Sequence, residues 1–359
     1  MKILDRYILQ KFFITYFFVV AILISVIVVV DYTEKSDDFI KHDLSILFIF
    51  KEYYLNYIPN MANTLSPIAV FISVVFMTAR MASHTEIVAI LSSGVSFRRF
   101  ISPYMVGAFI LGIFTFFMVG WIIPNAAKVQ VAFQVKYLKN PFYFDDRDIH
   151  FRTGDSTYIY MEYYNNRNQT GYKFTMEKIA DHQLFSKLRA EKITWDTTIN
   201  KWHIDKYKVH EFIGEREEKM WEGSDMDTVL NITPKYFKNN YKLEETMTFD
   251  ELNNFINDQK ARGIGNVERF LNTKYERYAY PFAIMILTLM GVIISAKKSR
   301  RGTGPQIAFG FTLAFIYLLF VIMSRSIAAG GTVSPMIAAW LPNLTFFTIA
   351  IFMYFTVPR

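Results

Sequence analysis

The chain contains no cysteine, which excludes disulfides and thiolate metal sites and removes any redox clue to its compartment. It lacks a phosphate-binding loop as well. The nearest glycine cluster, Gly302-Thr303-Gly304-Pro305, has neither the lysine nor the preceding strand, so nucleotide hydrolysis is expected in a separate chain. Six histidines are scattered without an H-E-x-x-H spacing, and no metal is expected. A G-x-S-x-G elbow and a recognisable carboxylate pair are also missing. No catalytic residue is assigned.

What the chain does have is apolar surface: 52% of its 359 residues are hydrophobic and 17% aromatic, unusual for a soluble protein. These residues gather in uncharged runs at 12–30, 58–79, 101–127, 278–296, 302–324 and 326–358. Roughly 20 apolar residues in a helix cross the hydrocarbon core, so six transmembrane helices are expected. Buried core helices are the alternative, but these are usually shorter. No acidic or basic residue interrupts the runs, which disfavours a proton-coupled carrier. The short run 44–50 cannot cross, and is expected to lie in the interface or to begin a bent helix interrupted by Pro59 and Pro67.

Charge sets the orientation. Lys2, Arg6 and Lys11 precede the first span, Arg80, Arg98 and Arg99 flank the second connection, and Lys297, Lys298, Arg300 and Arg301 fill the fourth. The positive-inside rule puts these on the cytoplasmic side with both termini. The acidic connection holding Asp31, Glu34, Asp37, Asp38 and Asp43 then lies outside. No small-residue cleavage site follows the first run, which is read as an uncleaved anchor. The net charge of +7 reflects topology and lipid headgroups, with no nucleic-acid partner expected.

Residues 1–127 are thus expected to carry three spans and 266–359 three more. Between them, 128–247 has another texture: 149–152, 157–164, 172–179, 183–195 and 201–212 alternate polar and apolar residues between turn residues such as Asn165-Asn166 and Asp196-Thr197-Thr198. That pattern predicts an inserted all-β domain, an antiparallel sandwich or jelly roll, on the outer side. Thr248 to Glu251 has capping-box spacing and opens a connecting helix over 248–265, with a stop near Gly263 and Gly265 and a new helix near Asn266.

The connection 83–100 reads SHTEIVAILSSGVSFRRF. Ser83 and Glu86 have capping-box spacing, Ile87, Ile90, Leu91 and Val95 form an apolar stripe, and Gly94 suits a left-handed stop. This predicts a short helix over about 83–94 along the membrane face. Glu86 serves either as a cap on a lipid-facing helix or as a contact on a coupling helix docked in a partner's groove.

From Leu4-Asp5-Arg6-Tyr7-Ile8 onward the chain resembles the LptF/LptG permease family of the lipopolysaccharide export transporter. The resemblance rests on that opening, on Glu86-x-x-A-x-x-S-S-Gly94 with Ser96, on the helix from Thr248, on Tyr280-Pro281-Phe282, and on Ser334-Pro335 with Ala339-Trp340-Leu341-Pro342-Asn343. The opening and the pair Val30-Asp31 look more like LptG than LptF.

The resemblance implies a 3+3 membrane protein of the bacterial inner membrane with a periplasmic jelly-roll-like domain. It implies a heterodimer with a paralogous permease subunit and an LptB-like ATPase dimer that binds the ATP and magnesium. An LptC-like single-span protein and a periplasmic bridge complete the implied complex. No cofactor is implied in this chain. Glu86, Ile87, Ile90, Leu91, Gly94 and Arg98 match the ATPase contact. The first and fifth spans match lateral gates that admit lipopolysaccharide, where Phe309, Phe311, Phe315 and Tyr317 serve either as cavity lining or as contacts with helices and lipid. Lys35, Lys41 and Arg325 are the outer-mouth cations, although Asp31 and Arg325, at the outer ends of spans, read first as interfacial anchors. Another envelope permease that drives a periplasmic partner mechanically, or a membrane-anchored scaffold, fits the same residues without a lipid cavity.

Overall fold

The computed structural model describes residues 3–138, 147–153, 156–180, 183–213, 216–230, 232, 234–237, 241–261, 267–297 and 303–356. Lys2, Gly263, Gly265, Asn266, Lys298, Arg300 and Arg301 lie outside them.

Among the described residues six helices are long and apolar enough to cross a membrane. The first, α1 (Ile3–Lys41), has 39 residues, about 58 Å at 1.5 Å per residue, so it outreaches the hydrocarbon core at its ends. The second begins as α2 (Ile46–Ile49), passes through a π-turn at Phe50–Tyr54 and continues as α3 (Leu55–Ser83). The short apolar run therefore begins a helix, and Pro59 and Pro67 lie inside its continuation. After α4 (Glu86–Ser92) comes the third, α5 (Phe97–Phe117), extended by α6 (Ile123–Phe133) and two further π-turns. The connecting helix is α7 (Phe249–Ala261), and the last three spans are α8 (Val267–Ser295), α9 (Gly304–Ala329) and α10 (Pro335–Thr356).

The chain divides into two compact units. The first comprises Met1–Gln130, Glu244–Phe249 and Glu268–Arg359, and the second Val131–Leu243 with Asp250–Val267. In the helical unit α3 and α8 are central. One cluster joins them to α1 and α5 through Ile8, Phe12, Tyr16, Val70, Val74, Tyr104 and Ile284. The other joins them to α9 and α10 through Phe71, Val75, Leu287, Ala314 and Phe346. Ile8, Phe12, Tyr16 and Val20 recur every four residues and form the stripe that α1 buries. The opposite face of α1, with Ile14, Phe18, Ile22 and Val29, is exposed. Only 11% of the α1 apolar window and 22% of that of α9 are buried, against 72% for the α2–α3 helix, so α1 and α9 are the least covered spans.

The second unit is a six-stranded antiparallel sheet in chain order: β1 (Arg147–Arg152), β2 (Thr157–Asn165), β3 (Thr170–Ala180), β4 (Gln183–Asp196), β5 (Lys201–Ile213) and β6 (Arg216–Thr228). The expected all-β domain is present, but its described strands form one open sheet, and a two-sheet sandwich is not seen among them. Ile159, Met161, Phe174, Leu188, Ile193 and Ile204 fill one face. Trp202 is fully buried there and its indole N–H donates to the Ile232 carbonyl at 2.6 Å, which satisfies the polar handle of a core tryptophan. The turn after β4 is an Asx-turn in which Asp196 accepts from the Thr198 N–H at 2.7 Å.

Candidate functional site

Helix α3 runs through Ser83, and the chain reverses at His84 and Thr85. The expected capping box does not form, because Ser83 is still helical and its hydroxyl donates to the Arg80 carbonyl at 2.8 Å. The residue before α4 is Thr85 at φ 61°, a left-handed conformation that costs a β-branched residue energy. The Glu86 carboxylate accepts from the Tyr7 hydroxyl at 2.8 Å and pairs with Lys11 at 3.3 Å. Lys11 also donates to the Tyr7 hydroxyl. Beside this, buried Asp5 pairs with Arg99 at 2.7 Å. The first turns of α1 are thereby clasped to α4 and α5.

The faces of α4 follow from its packing. Ile87 is buried and Ile90 packs against the same core cluster, so this half of the expected stripe meets protein, not lipid. Val88 and Leu91 are exposed, and Gly94 at φ 86° ends the segment in the left-handed region open to glycine. Arg98, grouped with this helix in the sequence, is exposed and lines a groove between α5, α8 and α10.

A second polar cluster sits at the other end of α1. Buried Asp31 pairs with Lys35 and accepts from the hydroxyls of Tyr53 at 3.3 Å and Tyr54 at 3.2 Å. Lys35 also donates to the Tyr53 hydroxyl at 2.6 Å and lies 5.0 Å from that ring's centroid. Both tyrosines stand in the π-turn before α3, a local widening frequent at functional sites. Asp31 and Lys35 therefore form an internal lock between α1 and the next span, and neither has the environment of a free interfacial anchor. Lys41 is exposed on the last turn of α1, whereas Arg325 pairs with Glu276 at 3.2 Å.

The aromatic residues of α9 separate. Phe309, Phe311 and Phe315 are about half exposed, but Tyr317 is buried and donates to Asn343 at 2.9 Å. Asn343 in turn donates to the Ala279 carbonyl at 2.8 Å, tying α9, α10 and α8 together. Tyr317 belongs to helix packing, apart from the three phenylalanines.

Arg277, unnoticed in the sequence, is the buried polar residue that fixes the 244–249 segment. Its guanidinium donates to the carbonyls of Met247 at 2.7 Å and Glu244 at 3.0 Å. Glu244 also pairs with Arg269 at 2.8 Å, and Phe249 stacks on Tyr278. The point where the chain rejoins the helical unit is thus held by α8. Among the described residues no group of three His, Asp or Glu side chains is arranged to hold a metal ion.

No individual curated protein matches the chain. A family model described as lipopolysaccharide export system permease LptF/LptG matches residues 6–355. With six long apolar helices, a β-sheet inserted in the sequence between the third and the fourth, and a match over almost the whole length, the chain belongs to the LptF/LptG family of permeases.

Proposed function

We propose that this chain is one transmembrane half of an ATP-driven exporter that extracts lipopolysaccharide from the outer leaflet of the inner membrane. Its partners are a paralogous permease, an ATPase dimer that supplies the ATP and magnesium chemistry, a single-span protein at one gate and a periplasmic bridge. The termini and α4 face the cytoplasm, and the β domain faces the periplasm. The chain is the LptG-like half.

The observation that carries this reading is the clasp at Glu86. A push on α4 reaches α1 through Tyr7 and Lys11, and α1 is in turn tied to α5 by the separate pair Asp5 and Arg99. Because α1 and α9 are the least covered spans, their exposed faces, with Phe309, Phe311 and Phe315 on α9, suit lateral gates and the wall of a lipid cavity. Glu86 then serves the ATPase contact mainly by positioning α4, while the exposed Val88 and Leu91 enter the ATPase groove and Gly94 ends the helix. Of the expected outer cations, Lys41 has the exposure to meet a lipid phosphate. Lys35 and Arg325 are engaged with Asp31 and Glu276, which gives the larger headgroup role to the paralogue.

The test is co-purification of the native chain and Glu86→Gln with the paralogue and the ATPase. Stoichiometric ATPase with the native chain, and at least a several-fold loss of lipid-stimulated hydrolysis in the variant, is the expected result. A folded membrane pair that retains no ATPase would sink the reading.

A further inference from the structure

Two adjacent arginines at the start of α5 have opposite surroundings. Arg99 is held by Asp5 at 2.7 Å. Arg98 is exposed, and among the described residues it has no hydrogen-bond or ion-pair partner. One turn further along the same face is Ser102, also exposed and without a hydrogen-bond partner among those residues. A side chain four residues on in a helix lies directly beside its predecessor, so a guanidinium and a hydroxyl stand together with no partner among the described residues.

They border an apolar groove of 590 Å³, lined beyond them by Ile101 and Met105 of α5, Leu289 of α8 and Ile351 of α10. Its far wall includes Tyr354, whose ring lies 6.5 Å from that of Phe97 and nearly parallel to it. The wall is therefore built before anything enters. Inside a bilayer such a groove takes an acyl chain, and what distinguishes this one is its cationic, hydroxyl-bearing mouth. A guanidinium presents paired N–H donors matched to a phosphodiester. The cytoplasmic leaflet is the anionic one.

We infer that this groove binds one anionic glycerophospholipid, with its phosphate between Arg98 and Ser102 and an acyl chain along Met105, Leu289 and Ile351. Assignment to the cytoplasmic leaflet rests on the orientation proposed above. The site is separate from the transported lipid, which enters from the other leaflet, and it takes Arg98 out of the ATPase contact.

The test is native mass spectrometry of the detergent-solubilised complex of this chain with its paralogue and ATPase, titrated with phosphatidylglycerol, phosphatidylcholine and lipid A. The native complex is expected to retain one phosphatidylglycerol in preference to phosphatidylcholine. Arg98→Gln should reduce that preference about five-fold, the effect of one interfacial cation. Arg98→Lys should keep most of it, and Arg6→Gln, another exposed cation, should keep all of it. Ile351→Trp, which fills the groove, should displace the lipid whatever its headgroup. An unchanged preference in Arg98→Gln, an equal loss in Arg6→Gln, or displacement of phosphatidylglycerol by lipid A would overturn the site.

Sidedness is read separately by labelling a single cysteine at Ser92→Cys in intact cells. Binding in detergent does not depend on it. Label reaching Ser92→Cys from the periplasm would overturn the proposed orientation and with it the leaflet assignment, whatever the lipid preference. Label excluded there, together with no preference for phosphatidylglycerol in the native complex, would leave the transport reading standing and remove the lipid site.

Discussion

The hydroxyl of Tyr7 donates to the carboxylate of Glu86 at 2.8 Å across 79 residues of sequence, joining the start of the first span to the first residue of α4. Lys11 completes the contact at 3.3 Å, with about a third of each charged side chain exposed. An ion pair this exposed contributes under about 1 kcal/mol to stability, so its value lies in placing α4. Lys11→Glu alone should leave the fold nearly as stable as the native chain yet reduce lipid-stimulated ATPase activity several-fold. Reversing both charges, Lys11→Glu with Glu86→Lys, should restore most of it. If the double variant stays as inactive as the worse single one while the ATPase remains bound, Glu86 acts as a carboxylate toward the ATPase and the clasp is incidental.

The lock at the other end of α1 is mostly buried, with Asp31 inside and Lys35 partly covered, and its energetics differ accordingly. Asp31→Asn leaves the Lys35 ammonium without its counter-charge beside Tyr53, and because Lys35 is only partly covered the loss falls at or below the roughly 3 kcal/mol of a fully buried pair. Replacing both, as Asp31→Leu with Lys35→Met, should recover most of the loss. Thermal unfolding of the purified membrane pair decides it: a single variant that melts with the native protein would contradict the lock.

Arg277 makes a comparable prediction for the rejoining segment. Arg277→Met keeps much of the side-chain volume but strands the carbonyls of Met247 and Glu244, at about 1–3 kcal/mol for each group left unsatisfied. Limited proteolysis between residues 244 and 249 should become faster while the spans stay intact. Unchanged cleavage would mean that the segment is held without the guanidinium.

The spans were legible because uncharged runs of membrane length have few other uses, and five strands because one face of a sheet demands alternation. β6 escaped because REEKMWEGSDMDT carries charge almost throughout. Such a strand survives at a sheet edge by pairing with β5, where charge also discourages pairing with other chains. The Ser83 to Glu86 spacing misled for the reason that a capping box is only local: α3 extends through Ser83, and Glu86 finds its partners 75 and 79 residues away. Five of the residues quoted for the family resemblance share one physical role. Asp5, Tyr7, Glu86 and Asn343 each bind a side chain or carbonyl on another helix, and Tyr280 donates to the Asn63 carbonyl at 2.5 Å.

In the β domain, His203 Nδ1–H donates to the Asp227 carboxylate at 2.8 Å, while Asp205 and Asp225 lie 3.3 and 3.7 Å from Nε2. The hydrogen bond to Asp227, aided by the charges of all three carboxylates, raises the imidazole above its ordinary 6.5. Lys192 faces the same group and, with His203, holds Asp205 below the usual carboxylate value of 3.8. A raised folded-state value means that the His203 contribution is complete below pH 6.5 and is lost as pH rises through the raised value. The Asp205 contribution has the opposite sense: it is present above 3.8 and disappears as pH falls through its lowered value. His203→Gln should therefore flatten the decline in β-domain stability above pH 6.5 and leave most of the acid limb, which rests first on Lys192, as read by hydrogen exchange of β5 and β6 in the full chain. An unaltered decline would assign it to other groups.

Thr85 offers a test of whether the turn before α4 stores strain. Its φ of 61° suits glycine or asparagine, and a non-glycine residue with a β-branched side chain is held there at a cost of about 1–2 kcal/mol. Its hydroxyl donates to the adjacent His84 carbonyl at 2.6 Å and makes no side-chain cap on α4, so little is lost on removing it. Thr85→Gly should consequently leave stability unchanged or raise it, since glycine's greater freedom in the unfolded chain offsets part of the relieved strain. Thr85→Asn, which tolerates the left-handed region with less backbone freedom, should stabilise more than glycine does. If the strain is part of the coupling, both variants should weaken the dependence of ATPase activity on lipid while the ATPase stays bound. Thr85→Asn that destabilises the membrane pair would show that the turn is not strained, and that the threonine is held there by contacts that the left-handed geometry serves.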